Sequence, residues 1–196
     1  MKALPTISVD IAVPEKKVAD SVRQLPLVIR QLTPKDADVF HYLRIRCIES
    51  DPTSFSVLLE EEKSMTPSQI KNLLDRFFRS ETSALWGGFC GDYLVGMIGL
   101  ESLLGPVRRH RGIITGLCVL PEYRGQQIGQ ALIEHVIKQA KLNPQLESLV
   151  LEVSEVSLAA IKLYQQAGFR DNGREPRALA FGDQRLDLIR MNCPLR

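Results

Sequence analysis

Apolar residues recur along this chain in two rhythms, and the breaks between them fall at glycine and proline. The first rhythm is short and strand-like. LVIRQ from Leu27, ALWGGFC from Ala84, YLVGMIGLESLL from Tyr93, GIITGLCVL from Gly112 and SLVLEVS from Ser148 are apolar runs bounded by turn residues. Gly91-Asp92 joins the second run to the third as a tight turn, and Gly182-Asp183 separates RALAF from RLDLIRM as a second hairpin. The other rhythm is helical. Val39, Leu43, Cys47 and Ile48 follow a Thr33-Pro34 start and precede Asp51-Pro52; Ile70, Leu73, Leu74, Phe77 and Phe78 follow Thr66-Pro67. Leu132, Ile133, Val136, Ile137 and Ala140 share a face between Gly129 and Asn143, and a last helix over 157–167 closes at Gly168. The order β, α, α, three β, α, β, α, β-hairpin predicts an α/β (α+β) domain on a mixed, mostly antiparallel sheet. That domain spans 27–196. Residues 1–26, with Pro5, Pro14 and Pro26, are weakly patterned and read as an N-terminal extension with a short helix over 14–24.

Composition narrows the function classes. The chain has 196 residues of which 44% are apolar, enough for one sizeable core. Its 25 Lys and Arg against 23 Asp and Glu leave a net charge of +2, too little for a general field that attracts polyanions. Nucleic acid is therefore not an expected partner. Arg108-Arg109-His110-Arg111 is a local basic cluster that could steer a phosphate or an acidic substrate, or simply solvate a loop. No apolar stretch is long enough for a bilayer, and the N-terminal residues lack an export-type apolar segment, so a cytoplasmic protein without a membrane partner is expected. Cys47, Cys90, Cys118 and Cys193 show no metal-ligand spacing; they read as reduced, packed thiols, with no metal site.

Local chemistry concentrates at one strand-to-helix junction. GIITGLCV runs through Leu120-Pro121-Glu122-Tyr123 into Arg124-Gly125-Gln126-Gln127-Ile128-Gly129 and then an amphipathic helix. Glycines there allow a sharp turn and a close backbone approach to a ligand. Unpaired N–H groups at the helix start favour a phosphate or pyrophosphate, and Arg124 can add a charge-assisted contact. The same residues would also suit an ordinary tight connection with a surface arginine.

Beyond the next strand comes Ala160-x-x-Leu163-Tyr164-x-x-x-Gly168-Phe169. Together with Val119-x-Pro121-x-x-Arg124-Gly125-x-x-Ile128-Gly129, it resembles the GCN5-related N-acetyltransferase (GNAT) family. The order of elements from Leu27 to Met191 is similar to that family too, as is Glu175-Pro176-Arg177-Ala178-Leu179 before the final hairpin. The resemblance implies a GNAT-type sheet with helices on both faces. It also implies an acetyl-CoA cosubstrate and acetyl transfer to a primary amine of a small molecule, amino acid or protein, by direct attack in a ternary complex. It places the CoA pyrophosphate on Arg124, Gly125, Gln126, Gln127, Ile128 and Gly129. It pairs the pantetheine arm with the backbone of Leu117, Cys118 and Val119, on a strand that splays from SLVLEVS with a bulge near Gly116. Tyr164 matches the tyrosine assigned as general acid to the departing thiolate, which suits a phenol facing a thiol of pKa about 8.5. Two positions depart from the pattern: Gln127 stands where the family usually has glycine, and Ser157, a cofactor contact with a shorter reach that can still cap the last helix, stands where it often has asparagine.

The attacking amine must be neutral, so the site needs a base or a path to solvent. Glu152 is the favoured base; Glu101 and His110 are alternatives, and Glu60-Glu61-Glu62 could attract a cationic amine or be a solvated face. Cys118 near a thioester would suit covalent relay, but no histidine is placed beside it by sequence, and a packed thiol is the preferred reading. The resemblance also implies a homodimer. Gln127 and Ser157 motivate a second reading, a non-catalytic acyl-CoA-binding sensor or interaction module on the same fold.

Overall fold

A computed structural model of the chain describes residues 25–103, 105 and 107–196; the expected extension up to residue 24, with its helix over 14–24, lies outside the described residues. The described residues form a seven-stranded sheet ordered β1-β2-β3-β4-β5-β7-β6. The strands are β1 (Leu27–Gln31), β2 (Ala84–Cys90), β3 (Tyr93–Ser102), β4 (Arg111–Val119), β5 (Ser148–Ser154), β6 (Arg170–Phe181) and β7 (Gln184–Pro194). All neighbours pair antiparallel except β4 and β5. The helices are α1 (Ala37–Ser50), α2 (Leu59–Ser64), α3 (Pro67–Phe78), α4 (Ile128–Leu142) and α5 (Leu158–Gln166).

Both predicted hairpins close where the glycines stand. Gly91, at φ 59°, lets Cys90 pair with Tyr93, and Gly182, at φ 56°, does the same for Phe181 and Gln184. The helix starts also follow the sequence. Thr66 caps α3 by accepting from Gln69 N, and Thr33 caps a 3-10 turn over Pro34–Asp36 that leads into α1. Asp36 is buried there and accepts from Arg30 at 2.6 and 3.0 Å, which ties the head of α1 to β1.

Three elements differ from the sequence reading. β3 ends at Ser102, so that Leu103 lies outside it. β6 begins at Arg170, well before RALAF, because its side chains are exposed and polar and only its ladder to β7 makes it a strand. It bulges between Glu175 and Leu179, where Arg177 adopts φ 55° and its N–H donates to Asp187 Oδ1 at 2.9 Å. The acidic run Glu60-Glu61-Glu62 is not a uniformly solvated face. It lies in α2, with Glu62 buried.

Helices cover both faces of the sheet, and strand alternation assigns them. Cys118 and Val119 are consecutive on β4 and so point to opposite faces. Cys118 packs beside Cys47 of α1, while Val119 approaches the head of α4 at Gly129. Phe40, Leu43, Cys47, Leu132, Ile133 and Val136 are buried accordingly.

The part of the sheet that matters for function is its interruption. β4 pairs with β5 only from Arg111–Ser148 to Ile113–Val150. On its other edge, Thr115 pairs with Gly99 and Cys118 with Met97, so β4 carries one more residue than β3 in that interval. Gly116 takes up the excess at φ 62°, the bulge expected from sequence. β4 thereby bends out of register with β5, and a wedge opens between them.

Candidate active site

Two cavities occupy the wedge. One, of about 890 Å³, runs along the end of β4 to the head of α4; the other, of about 760 Å³, lies over the start of β4 and β5. They meet at Ser54, Phe55, Leu117, Glu152 and Tyr164.

The first cavity gathers most of the residues expected to hold a cofactor. Leu117, Cys118 and Val119 form one wall, on the stretch of β4 that β5 no longer pairs. Arg124, Gly125, Gln127, Ile128 and Gly129 form the end, and Ser157 the opposite rim; Gln126 is exposed and outside the lining. Gly125 turns at φ 76° with open space where a Cβ would sit. Gln127 adopts φ 61°, a left-handed conformation that costs a non-glycine residue about 1 kcal/mol, and its side chain is exposed. The first intrahelical bond of α4 runs from Ala131 N to Gln127 O at 2.9 Å, so the amides of Ile128, Gly129 and Gln130 have no helical acceptor. A thioester cofactor with a diphosphate fits this shape. Its acyl arm would lie along unpaired β4 backbone, and its diphosphate would meet the free amides and dipole of α4.

Two side chains do something other than the sequence suggested. Arg124 turns back: Nε donates to Val119 O at 3.1 Å and Nη2 to Ser50 Oγ at 2.8 Å. Its guanidinium closes the end of β4 onto α1, which leaves anion contact at this loop to backbone amides. Ser157 heads α5 without a side-chain cap; its hydroxyl instead meets Ser54 Oγ at 2.6 Å, across the wedge.

Tyr164 sits at the junction. It is buried, its ring packs 5.9 Å from that of Phe169, and its hydroxyl has no hydrogen-bond partner among the described residues. Burial, helped by the neighbouring Cys118, pushes its phenol well above the ordinary value. The group is therefore a proton carrier across neutral pH, aimed where the cavities join. Cys118 is different in kind. Contact with the Cys47 thiol and burial hold it well above the usual thiol range, so it is neutral and a poor nucleophile.

The candidates for a base separate clearly. Glu152 lines both cavities, but its Oε1 accepts from Arg190 Nε at 2.9 Å, and Arg190 also reaches Glu175 at 2.9 Å. Glu101 and His110 line neither cavity. Glu62 is held bidentate by Arg44 at 2.6 and 2.7 Å and is closed to an amine, while Glu60 and Glu61 are exposed and outside the lining. Sequence reasoning missed Arg44, Arg190, Ser54 and Phe55. Each reaches the site through long-range packing that leaves no local pattern.

Residues 44–169 match the sequence model of the acetyltransferase (GNAT) family. The chain belongs to that family. Human N-acetyltransferase 8B is 31% identical over 93 residues, covering 47% of this chain and 40% of that protein. The chain spans roughly half the length of the curated relatives it matches. Among solved structures, the GNAT-family acetyltransferase from Streptococcus pneumoniae superposes with a TM-score of 0.78 at 24% identity, covering 86% of this chain and 99% of that one. The yncA protein of Salmonella typhimurium, solved with its cofactor acetyl-CoA, superposes with a TM-score of 0.76 at 14% identity, covering 87% and 95%. At such identities the structures speak to the fold.

Proposed function

We propose that the protein is an acetyl-CoA-dependent N-acetyltransferase that acts on a primary amine by direct attack in a ternary complex. The observation that carries this reading is the junction at Tyr164 of two cavities, one ending on the free amides of α4 and one open to a second substrate. Acetyl-CoA bound in the first cavity would supply an activated acyl group as a thioester, released as a free thiol when the amide forms. Leu117, Cys118 and Val119 hold the acyl arm by backbone atoms, and Gly125, Gln127, Ile128 and Gly129 hold the diphosphate by their amides. Tyr164 donates its hydroxyl proton towards the leaving sulfur. Full transfer from a phenol this weakly acidic to a thiolate is uphill, so its contribution is a strong hydrogen bond, with the proton balance closed by the ammonium formed on the acceptor.

Glu152, with Arg190 working against it, is the proposed relay that takes that proton from the acceptor nitrogen and passes it to solvent, from which the released thiolate is protonated. An open water path through the second cavity serves the same end. The reading extends to residues 27–196 as the catalytic domain behind an extension of 1–26, in a cytoplasmic homodimer without nucleic-acid or membrane partners. No helix among the described residues is long and apolar enough to cross a membrane, and the net charge of +2 supplies no general attraction for polyanions.

The test is release of free thiol from acetyl-CoA in the presence of amines, amino acids and peptides, followed by mass analysis of the acceptor. A gain of one acetyl group on an amine supports the reading. Binding of acetyl-CoA without turnover across the whole panel favours an acyl-CoA sensor instead. Cys118→Ala is expected to keep kcat within about threefold of wild type, because a neutral buried thiol takes no covalent part. Loss of activity together with an acetylated wild-type Cys118 would reverse that assignment.

A further inference from the structure

The second cavity holds more positive charge than its surroundings neutralise. Arg44, Arg108, Arg111 and Arg190 line it, against the carboxylate of Glu152. Two of these arginines are occupied. Arg44 is clamped by Glu62, and Arg190 is divided between Glu152 and Glu175. Arg108 and Arg111 have no side-chain hydrogen bond or ion pair among the described residues. Glu101, next to Arg111's strand through its pairing with Ile113, and Glu147, whose N–H donates to His110 O, form no ion pair with either.

Backbone hydrogen bonds tie the described residues around both arginines. Arg108 N donates to Gly105 O at 3.3 Å, Arg111 N to Arg108 O at 3.0 Å, and Leu103 N to Arg111 O at 3.2 Å. Two uncommitted guanidinium groups at the lining of one cavity, Arg108 exposed at its mouth and Arg111 half-buried, are arranged to bind an anion. The planar fork of arginine suits a carboxylate best.

Their place along the sheet sets a length. β4 carries Arg111 at its start and Leu117 at the junction with Tyr164. At about 3.3 Å per residue, six residues span roughly 20 Å. Arginine side chains that lean along the strand towards the junction shorten that to on the order of 10–15 Å between a nitrogen there and an anion at the arginines, about three or four residues of extended chain. A free α-amino acid is too short to use both. The cavity volume of about 760 Å³ is within the range that encloses a drug-sized ligand.

We infer that the acceptor is the α-amino group of a peptide with an acidic side chain near its third residue, that carboxylate being bound by Arg108 and Arg111. This rests on the acetyl-transfer reading for its chemistry, whereas the anion site stands on the cavity alone. The same positive charge disfavours a second cation on the acceptor, and it lowers the proton affinity of the amine, which favours the neutral nucleophile.

The test compares three peptides, Ala-Ala-Glu-Ala, Ala-Ala-Gln-Ala and Ala-Ala-Lys-Ala with amidated C-termini, and free glutamate. Binding in the presence of CoA and thiol release from acetyl-CoA are both measured on the full chain. The glutamate peptide is expected to exceed the glutamine peptide by about 10- to 100-fold in affinity and kcat/KM, the range for losing a charged hydrogen bond. In the double variant Arg108→Gln/Arg111→Gln that ratio is expected to fall to near one. Selective binding without thiol release supports the anion site and overturns acetyl transfer. Equal treatment of the three peptides, preference for free glutamate, no binding of any, or an undiminished ratio in the folded double variant overturns the inference while acetyl transfer to another amine can stand.

Discussion

Tyr164→Phe is expected to lower kcat about 100-fold or more, the scale on which a positioned proton donor acts. Acetyl-CoA affinity and melting temperature are expected to stay near wild type. The reason lies in how the ring is held. Its packing 5.9 Å from Phe169 survives the substitution, and the hydroxyl has no partner among the described residues that its removal would strand. The pH profile adds a second check. Because burial raises the phenol above its usual value of about 10, the hydroxyl stays protonated through neutral and moderately alkaline pH. Wild-type kcat/KM should therefore rise as the acceptor amine loses its proton and show no falling limb from Tyr164 below about pH 10. The same shift has a stability sign. An unfolded tyrosine ionises near pH 10 while the folded one resists, so this contribution is whole below pH 10 and lost as pH climbs beyond it. A Tyr164→Phe enzyme within threefold of wild-type kcat would remove the residue from the chemistry.

Glu62→Ala is expected to cost about 3–5 kcal/mol of stability, the scale for stranding one member of a buried ion pair. The side chains of Arg44 and Glu62 are 16% and 3% exposed and meet in a two-point contact at 2.6 and 2.7 Å. Removing the carboxylate leaves a guanidinium without its partner at the wall of the second cavity. Acceptor KM should rise with the loss of stability, since Arg44 lines that wall. Arg44→Met/Glu62→Leu should recover most of the stability, because an apolar pair needs no desolvation. Urea unfolding checks both. A loss under about 1 kcal/mol for Glu62→Ala would mean that water reaches the pair freely.

Much of the fold was legible because each element carried its own punctuation. Glycines at 91 and 182 closed the hairpins, Thr33 and Thr66 opened helices, and Gly116 marked the bulge that bends β4 from β5. β6 was not legible. Its exposed residues have no apolar alternation, and its strand character comes from β7. α2 was hidden in a run of three glutamates, one of which is buried only because Arg44 arrives from α1.

The site divides in the same way. Gly125 and the α4 amides follow from a local strand–loop–helix pattern. Arg124 shows the limit of such reasoning: a side chain expected at the ligand closes a strand-end carbonyl instead, since Val119 O needs a donor. The Ser54–Ser157 contact and the uncommitted state of Arg108 and Arg111 depend on which distant groups arrive, and no local period encodes that.

Hydrogen–deuterium exchange with and without saturating acetyl-CoA bears most directly on where the coenzyme lies. Slower exchange is expected in two stretches, 117–119 and 125–130, with β1 and β6 unchanged. Unaltered exchange at 125–130 on a coenzyme-saturated protein, or protection confined to another face of the sheet, would contradict it.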